Sequence, residues 1–226
     1  MITGTLVNVL AIIAGSLIGL LINKNLPKKI TTIVFQGIGL FTIILGISMA
    51  LKTNNFLIMI FSIVIGAIIG ELLNIESKIE SFGDVLKNRL KSKNEKFTEG
   101  FVTSFLLFCM GSLAILGSIE EGLGNEPNLL YTKSMLDGFS SIALAASLGI
   151  GVIFSAVPLL IYQGGLTLFA RYVEDFFTTA MITELSAVGG ILLLGLGLSL
   201  LDIKKISVSN MLPSLVIAVI LSALIS

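Results

Sequence analysis

The chain has 226 residues, of which 55% are hydrophobic and 12% charged, about half the charged share of a soluble globular domain. With a mean hydropathy of +1.04 and only 14 basic and 14 acidic residues to coat a globule, a soluble domain is excluded and an all-α polytopic transmembrane bundle is predicted. Zero net charge removes the basic surface that nucleic-acid binding needs. Histidine is absent and Cys109 is the sole cysteine, so an intrachain disulfide, a His/Cys metal centre and a histidine-dependent triad are excluded. Cys109 is expected to pack as a small hydrophobe. Met1 to Thr5 carry no basic residue and the apolar stretch after them is long enough to stay as a span, which predicts no removable signal peptide.

A bilayer core of about 30 Å takes roughly 20 apolar helical residues. In chain order the candidates are 5–23, 30–51, 55–74, 99–118, 138–158, 159–182, 183–201 and 207–226. The sixth carries Arg171, Glu174 and Asp175 and either crosses or is re-entrant, so seven or eight spans are expected. Lys24, Lys28 and Lys29 follow the first span, and Lys78, Lys87, Arg89, Lys91, Lys93 and Lys96 follow the third, which makes both loops cytoplasmic and the N-terminus external. The 119–137 loop, with Glu120, Glu121, Glu126, Lys133 and Asp137, then lies outside. With eight spans Lys204 and Lys205 also fall inside, and with seven they do not. The whole of 1–226 reads as a single transmembrane domain with a cytoplasmic amphipathic linker at about 75–97, where Ile75, Ile79, Phe82, Leu86 and Leu90 recur at helical spacing. That stripe suits either an anionic lipid surface or packing on the spans.

Two internal echoes suggest duplication. Laying Ala11 on Ala187 without a gap also lays Gly19 on Gly195, Lys28-Lys29-Ile30 on Lys204-Lys205-Ile206, and Asn8 on Glu184. Glu99-Gly100-Phe101 likewise echoes Asp137-Gly138-Phe139, with Gly111 and Gly149 equally far beyond the two acids. Repeats of opposite orientation mark transporter folds whose site lies at the repeat interface; shared membrane composition is the alternative source of both echoes.

Polar groups within the apolar segments are the candidate pathway. Gly111-Ser112 and Gly117-Ser118 weaken one helix, and freed backbone groups at membrane depth are tolerated only against protein or a water-filled cavity. The same small residues also suit close helix packing. Ser147 lies on a second small-polar face, and Gln163 stands in an apolar run. The charge-free stretch 138–170 would form a helix of roughly 49 Å, too long for one span, so a break is expected near Pro158 or at Gly164-Gly165. Arg171, Glu174 and Asp175 form a local ion-pair set by spacing, whereas Glu71 and Glu99 sit hydrated at span ends. Glu184 is interfacial or, by its register with Asn8, lines the pathway. The predicted site is Gly111, Ser112, Gly117, Ser118, Ser147 and Gln163, joined by Asn8 and Glu184.

No intramembrane enzyme signature is present: the lysines cluster in loops, Asp137 and Asp175 form no paired-aspartate motif, and Gly189-Gly190 lies in an apolar helix and not a phosphate loop. Neither a cofactor nor a metal is expected. Gly15-xxx-Gly19 and Gly66-xxx-Gly70 have the spacing of close helix crossings, between protomers of a homo-oligomer or within one.

Gly4-Thr5-Leu6-Val7-Asn8, Gly66-Ala67-Ile68-Ile69-Gly70-Glu71, the Gly111-to-Leu123 segment, Leu136-Asp137-Gly138 and Tyr162-Gln163-Gly164 together resemble a family of uncharacterised bacterial membrane proteins typified by YdfK and YqgA. The similarity covers essentially the whole chain. It implies a multi-pass protein of the bacterial inner membrane, without established activity. Two function classes stay open: a transporter or channel-like protein for an ion or small solute, and a non-transporting scaffold that binds a partner or lipid through 75–97.

Overall fold

The computed structural model describes residues 2–23, 28–109, 112–173 and 178–225. Among these the chain is all-helical. In order the helices are α1 (Thr3–Asn23), α2 (Lys28–Ala50), α3 (Phe56–Leu72), α4 (Ile75–Arg89), α5 (Phe97–Cys109), α6 (Ser112–Gly122), α7 (Asn128–Leu148), α8 (Gly151–Phe154), α9 (Ala156–Val173), α10 (Thr179–Leu200) and α11 (Pro213–Ile225), with a 3₁₀ turn at Val208–Met211 before α11. Asn55 opens α3 by accepting the Leu57 N–H, and Thr178 opens α10 by accepting that of Met181, as polar N-caps do.

Among the described residues three stretches are long and apolar enough to cross a bilayer, Thr3–Ile22, Gly151–Ala170 and Thr179–Leu200, or up to five if the bent pairs α3/α4 and α5/α6 each count as one. Several hydropathy windows are therefore not single straight helices. The 99–118 window is split between α5 and α6, whose axes differ by 62°. The long 138–170 stretch breaks at Gly149, whose φ of +82° ends α7, and the helix restarts at Gly151 as α8, followed after Ser155 by α9 with Pro158 in its first turn, where a missing N–H costs little. Gly164-Gly165 continue α9 without interruption. The expected external loop at 119–137 is correspondingly shorter, because α6 runs to Gly122 and α7 starts at Asn128.

The chain divides into two compact units. Unit 1 comprises Met1–Ile38, Glu80–Cys109 and Leu113–Phe176, and unit 2 comprises Gly39–Ile79, Met110–Ser112 and Phe177–Ser226, so the chain passes between them within α2 and within α4.

In unit 1, α1 runs parallel to α7. A Cβ on Gly15 would strike the Gly138 carbonyl and the Ser141 hydroxyl, and one on Gly19 would strike the Ile142 carbonyl. Helix α9 is antiparallel to α1, with Thr167 opposite Thr5 and Gln163 opposite Asn8. Ile12, Phe108, Leu144, Leu148 and Leu159 fill the space between them. Helix α4 meets the start of α5 through Gly83, packed on Thr98, whose hydroxyl donates to Asp84 Oδ1 at 2.6 Å. Of its apolar stripe, Ile75, Ile79 and Leu86 are half-buried, whereas Phe82 and Leu90 are exposed.

In unit 2, the end of α2 crosses α10 through Gly46, Gly190 and Gly197, and α3 crosses α11 where Gly70 presses on the Asn210 carbonyl and Gly66 on Ser214. Both predicted Gly-xxx-Gly faces are therefore spent on crossings within one unit, the second of the two alternatives open to them. They offer no support for a homo-oligomer.

Candidate functional site

The site is built in unit 1 as three layers down α1. At the top, Glu121 near the end of α6 receives the Gly4 N–H at 2.6 Å on Oε1, and both the Thr5 N–H at 3.3 Å and the Thr5 hydroxyl at 3.4 Å on Oε2. The first N–H groups of a helix have no partner within it, and the carboxylate meets both that deficit and the positive end of the helix dipole. The Thr5 and Thr167 hydroxyls lie 3.4 Å apart, joining α9 to this layer.

One turn further along α1 stands Asn8, fully buried. Its Nδ2 donates to Asp137 Oδ2 at 3.0 Å and to Gln163 Oε1 at 2.8 Å. Asp137 also pairs with Lys133 one turn away on α7, and both charges are buried. Paired ions in an apolar interior keep each other's company because neither can be hydrated there. Two atoms of this layer have no protein partner, Asn8 Oδ1 and Gln163 Nε2. An acceptor and a donor thus stand open on adjoining amides beside a neutral ion pair.

Below lies the apolar layer of Ile12, Phe108, Leu144 and Leu159. Ile12 follows Asn8 by one turn on α1, and Leu159 precedes Gln163 by one turn on α9, so the layer lies directly against the polar cluster. Beneath it opens a cleft of about 820 Å³ lined by Leu17, Leu20, Asn94, Lys96, Ser147 and Gly149 among others. Asn94 Nδ2 donates to the Leu148 carbonyl at 2.9 Å and presses on Gly149, where a Cβ would collide with it. The Ser147 hydroxyl is buried here without a protein partner.

Of the residues singled out in the sequence, Asn8 and Gln163 come together, and Ser147 faces the cleft. Ser118 is buried but donates to the Ala114 carbonyl at 2.6 Å, which satisfies its hydroxyl within the helix. Gly117 makes room for Leu129 and Leu130 of α7 and so serves packing. Gly111 and the side chain of Ser112 lie outside the described residues, as do the side chains of Arg171, Glu174 and Asp175. Glu184 is in unit 2, where its carboxylate accepts from the Thr53 hydroxyl at 2.6 Å and from the Asn54 and Asn55 N–H groups at 2.7 and 3.2 Å. That is a cap on the start of α3, the same device as Glu121 on α1. Glu71, expected simply to be hydrated, accepts from Asn210 Nδ2 at 2.7 Å.

Lys133, Asp137, Glu121, Thr5 and Thr167 were not anticipated. The charges of Glu121, Lys133 and Asp137 suggested a loop, yet the i, i+4 spacing of Lys133 and Asp137 was a legible signal for a helical pair.

A family model described as a protein of unknown function, DUF554, matches residues 3–223. The chain belongs to this family. YdfK of Bacillus subtilis (strain 168), an uncharacterized membrane protein, is 39% identical over 218 residues, covering 95% of this chain and 93% of the relative. YqgA of Escherichia coli (strain K12), an uncharacterized protein, is 35% identical over 228 residues, covering 99% and 97%. No solved structure matches. In this DUF554 protein the three layers draw on α1, α5, α6, α7 and α9, all inside the region the family model matches.

Proposed function

We propose that the protein is a small transporter or channel-like protein for an ion or small solute, working without catalysis or cofactor in a bacterial plasma membrane. The observation that carries this reading is the buried polar cluster of Asn8, Lys133, Asp137 and Gln163, with Asn8 Oδ1 and Gln163 Nε2 unpartnered. Polar groups at membrane depth are costly and concentrate along substrate pathways. The apolar residues around Ile12 and Leu144 separate the polar cluster from the cleft at Ser147, an arrangement that suits a path closed by an apolar constriction. Eight spans with an external N-terminus remain the topology that puts most basic residues in the cytoplasm.

Proteoliposomes holding the full chain, screened with sodium, potassium, chloride and small organic solutes, test the reading. Flux of at least one solute that falls in Asn8→Ala and Gln163→Ala supports it, and sealed vesicles for every solute overturn it. A second reading, a scaffold that binds a partner or lipid through α4, is favoured by the exposure of Phe82 and Val85 beside Lys87 and Arg89. Phe82→Glu separates the two, because a transporter keeps its flux when that exposed ring is lost.

A further inference from the structure

Resting on the transport reading, we infer that the polar cluster of Asn8, Lys133, Asp137 and Gln163 is a binding site for a small zwitterion, an ammonium and a carboxylate held on one carbon or a few. The charges around Asn8 sum to zero, Lys133 against Asp137, while the Glu121 carboxylate is already answered by the backbone N–H groups of Gly4 and Thr5. A lone cation entering here would take Asp137 and strand Lys133, and a lone anion would strand Asp137. A buried charge left without its partner is the costliest outcome available to the site. A zwitterion alone opens the ion pair and replaces both halves: its carboxylate meets Lys133 and its ammonium meets Asp137.

The two unpartnered atoms fit the same solute. Gln163 Nε2 is a spare donor for a carboxylate oxygen, and Asn8 Oδ1 is a spare acceptor for an ammonium hydrogen. Asn8 Nδ2 is meanwhile engaged by Asp137 and Gln163, which fixes its Oδ1 as the open face. Lys133 supplies the adaptable element, since a four-carbon stem can withdraw from Asp137 without moving α7. An uncharged amide would satisfy the two spare atoms but leave the ion pair closed, and so would use half of the site.

The full chain in nanodiscs is titrated with glycine, the smallest such solute, and with its fragments acetate, methylammonium and acetamide, while thermal unfolding and heat of binding are followed. Glycine is expected to bind and stabilise where the fragments do not at the same concentration. Asn8→Ala and Gln163→Ala should each weaken glycine about tenfold, the worth of a hydrogen bond to a charged group. The double variant Lys133→Met with Asp137→Asn, which removes both charges together, should stay folded and lose glycine. Equal binding of acetamide, binding of methylammonium or acetate alone, or no glycine binding in the folded wild type overturns the inference. Vesicles that pass sodium, potassium or chloride without glycine binding would leave transport standing and remove the zwitterion. Glycine binding in sealed vesicles would do the reverse.

Discussion

Glu121 holds the N-terminus of α1 from the far end of α6, with the Gly4 N–H donating to Oε1 at 2.6 Å across a sequence separation of 117 residues. The contact fixes the depth of α1 against α7 and α9, and therefore the height at which Asn8 meets Gln163. Glu121→Ala leaves two N–H groups unanswered and should cost about 2 kcal/mol. Glu121→Gln keeps an acceptor but loses its charge against the helix dipole and should cost about half as much. Exposed Glu126→Ala should be neutral. Equilibrium unfolding in detergent measures all three, and equal effects for Glu121 and Glu126 would remove the cap from the argument.

The glycines divide into those under a crossing helix and those without. A Cβ at Gly70 has no room beside the Asn210 carbonyl, whereas Gly164 and Gly165 face open space. Gly70→Ala should therefore cost about 3 kcal/mol through forced separation of α3 and α11. Gly164→Ala should fall within about 1 kcal/mol of wild type, with any change on the stabilising side. The same unfolding experiment decides, and a tolerated Gly70→Ala would mean that the crossing is looser than described.

Ile12 is fully buried in the apolar layer one turn from Asn8. Ile12→Ser should let water wet the constriction and raise passive flux of a transported solute in proteoliposomes severalfold, while Ile12→Val keeps the layer dry and the flux low. Leu168→Ser, on an exposed position of α9, serves as the control for general damage. Unchanged flux in a folded Ile12→Ser protein would place the barrier elsewhere.

Orientation is testable by labelling in a Cys109→Ala background. A cysteine replacing Asn125, between α6 and α7, should react with an impermeant thiol reagent from outside the cell, and one replacing Lys91 should not. A cysteine replacing Lys204 reads the span count: protection means eight crossings, and labelling means that the segment around Arg171 does not traverse the bilayer. Reversal of the first pair would invert the topology.

Composition alone determined that this chain is an all-helical membrane protein, because 12% charge leaves no way to hydrate its surface. Sequence length also predicted a break within 138–170, though it placed it near Pro158 or Gly164-Gly165 and the chain breaks at Gly149. Asn8 and Gln163 were marked as well, since isolated amides in apolar runs stand out without any partner in view. Only the tertiary structure decided that those two amides meet, that Lys133 and Asp137 join them, that Glu121 takes the first N–H groups of α1 and that Glu184 takes those of Asn54 and Asn55 just ahead of α3. The reason is physical. Hydropathy is an average over about 20 residues, in which one Lys–Asp pair looks like a loop, whereas its cost at depth depends on partners such as Asn8, which is 129 residues from Asp137 in sequence. The Gly-xxx-Gly spacing likewise specified a close crossing but not with which helix, because a missing Cβ permits approach from any partner and the packing of each unit alone selects α7 for Gly15 and α11 for Gly66.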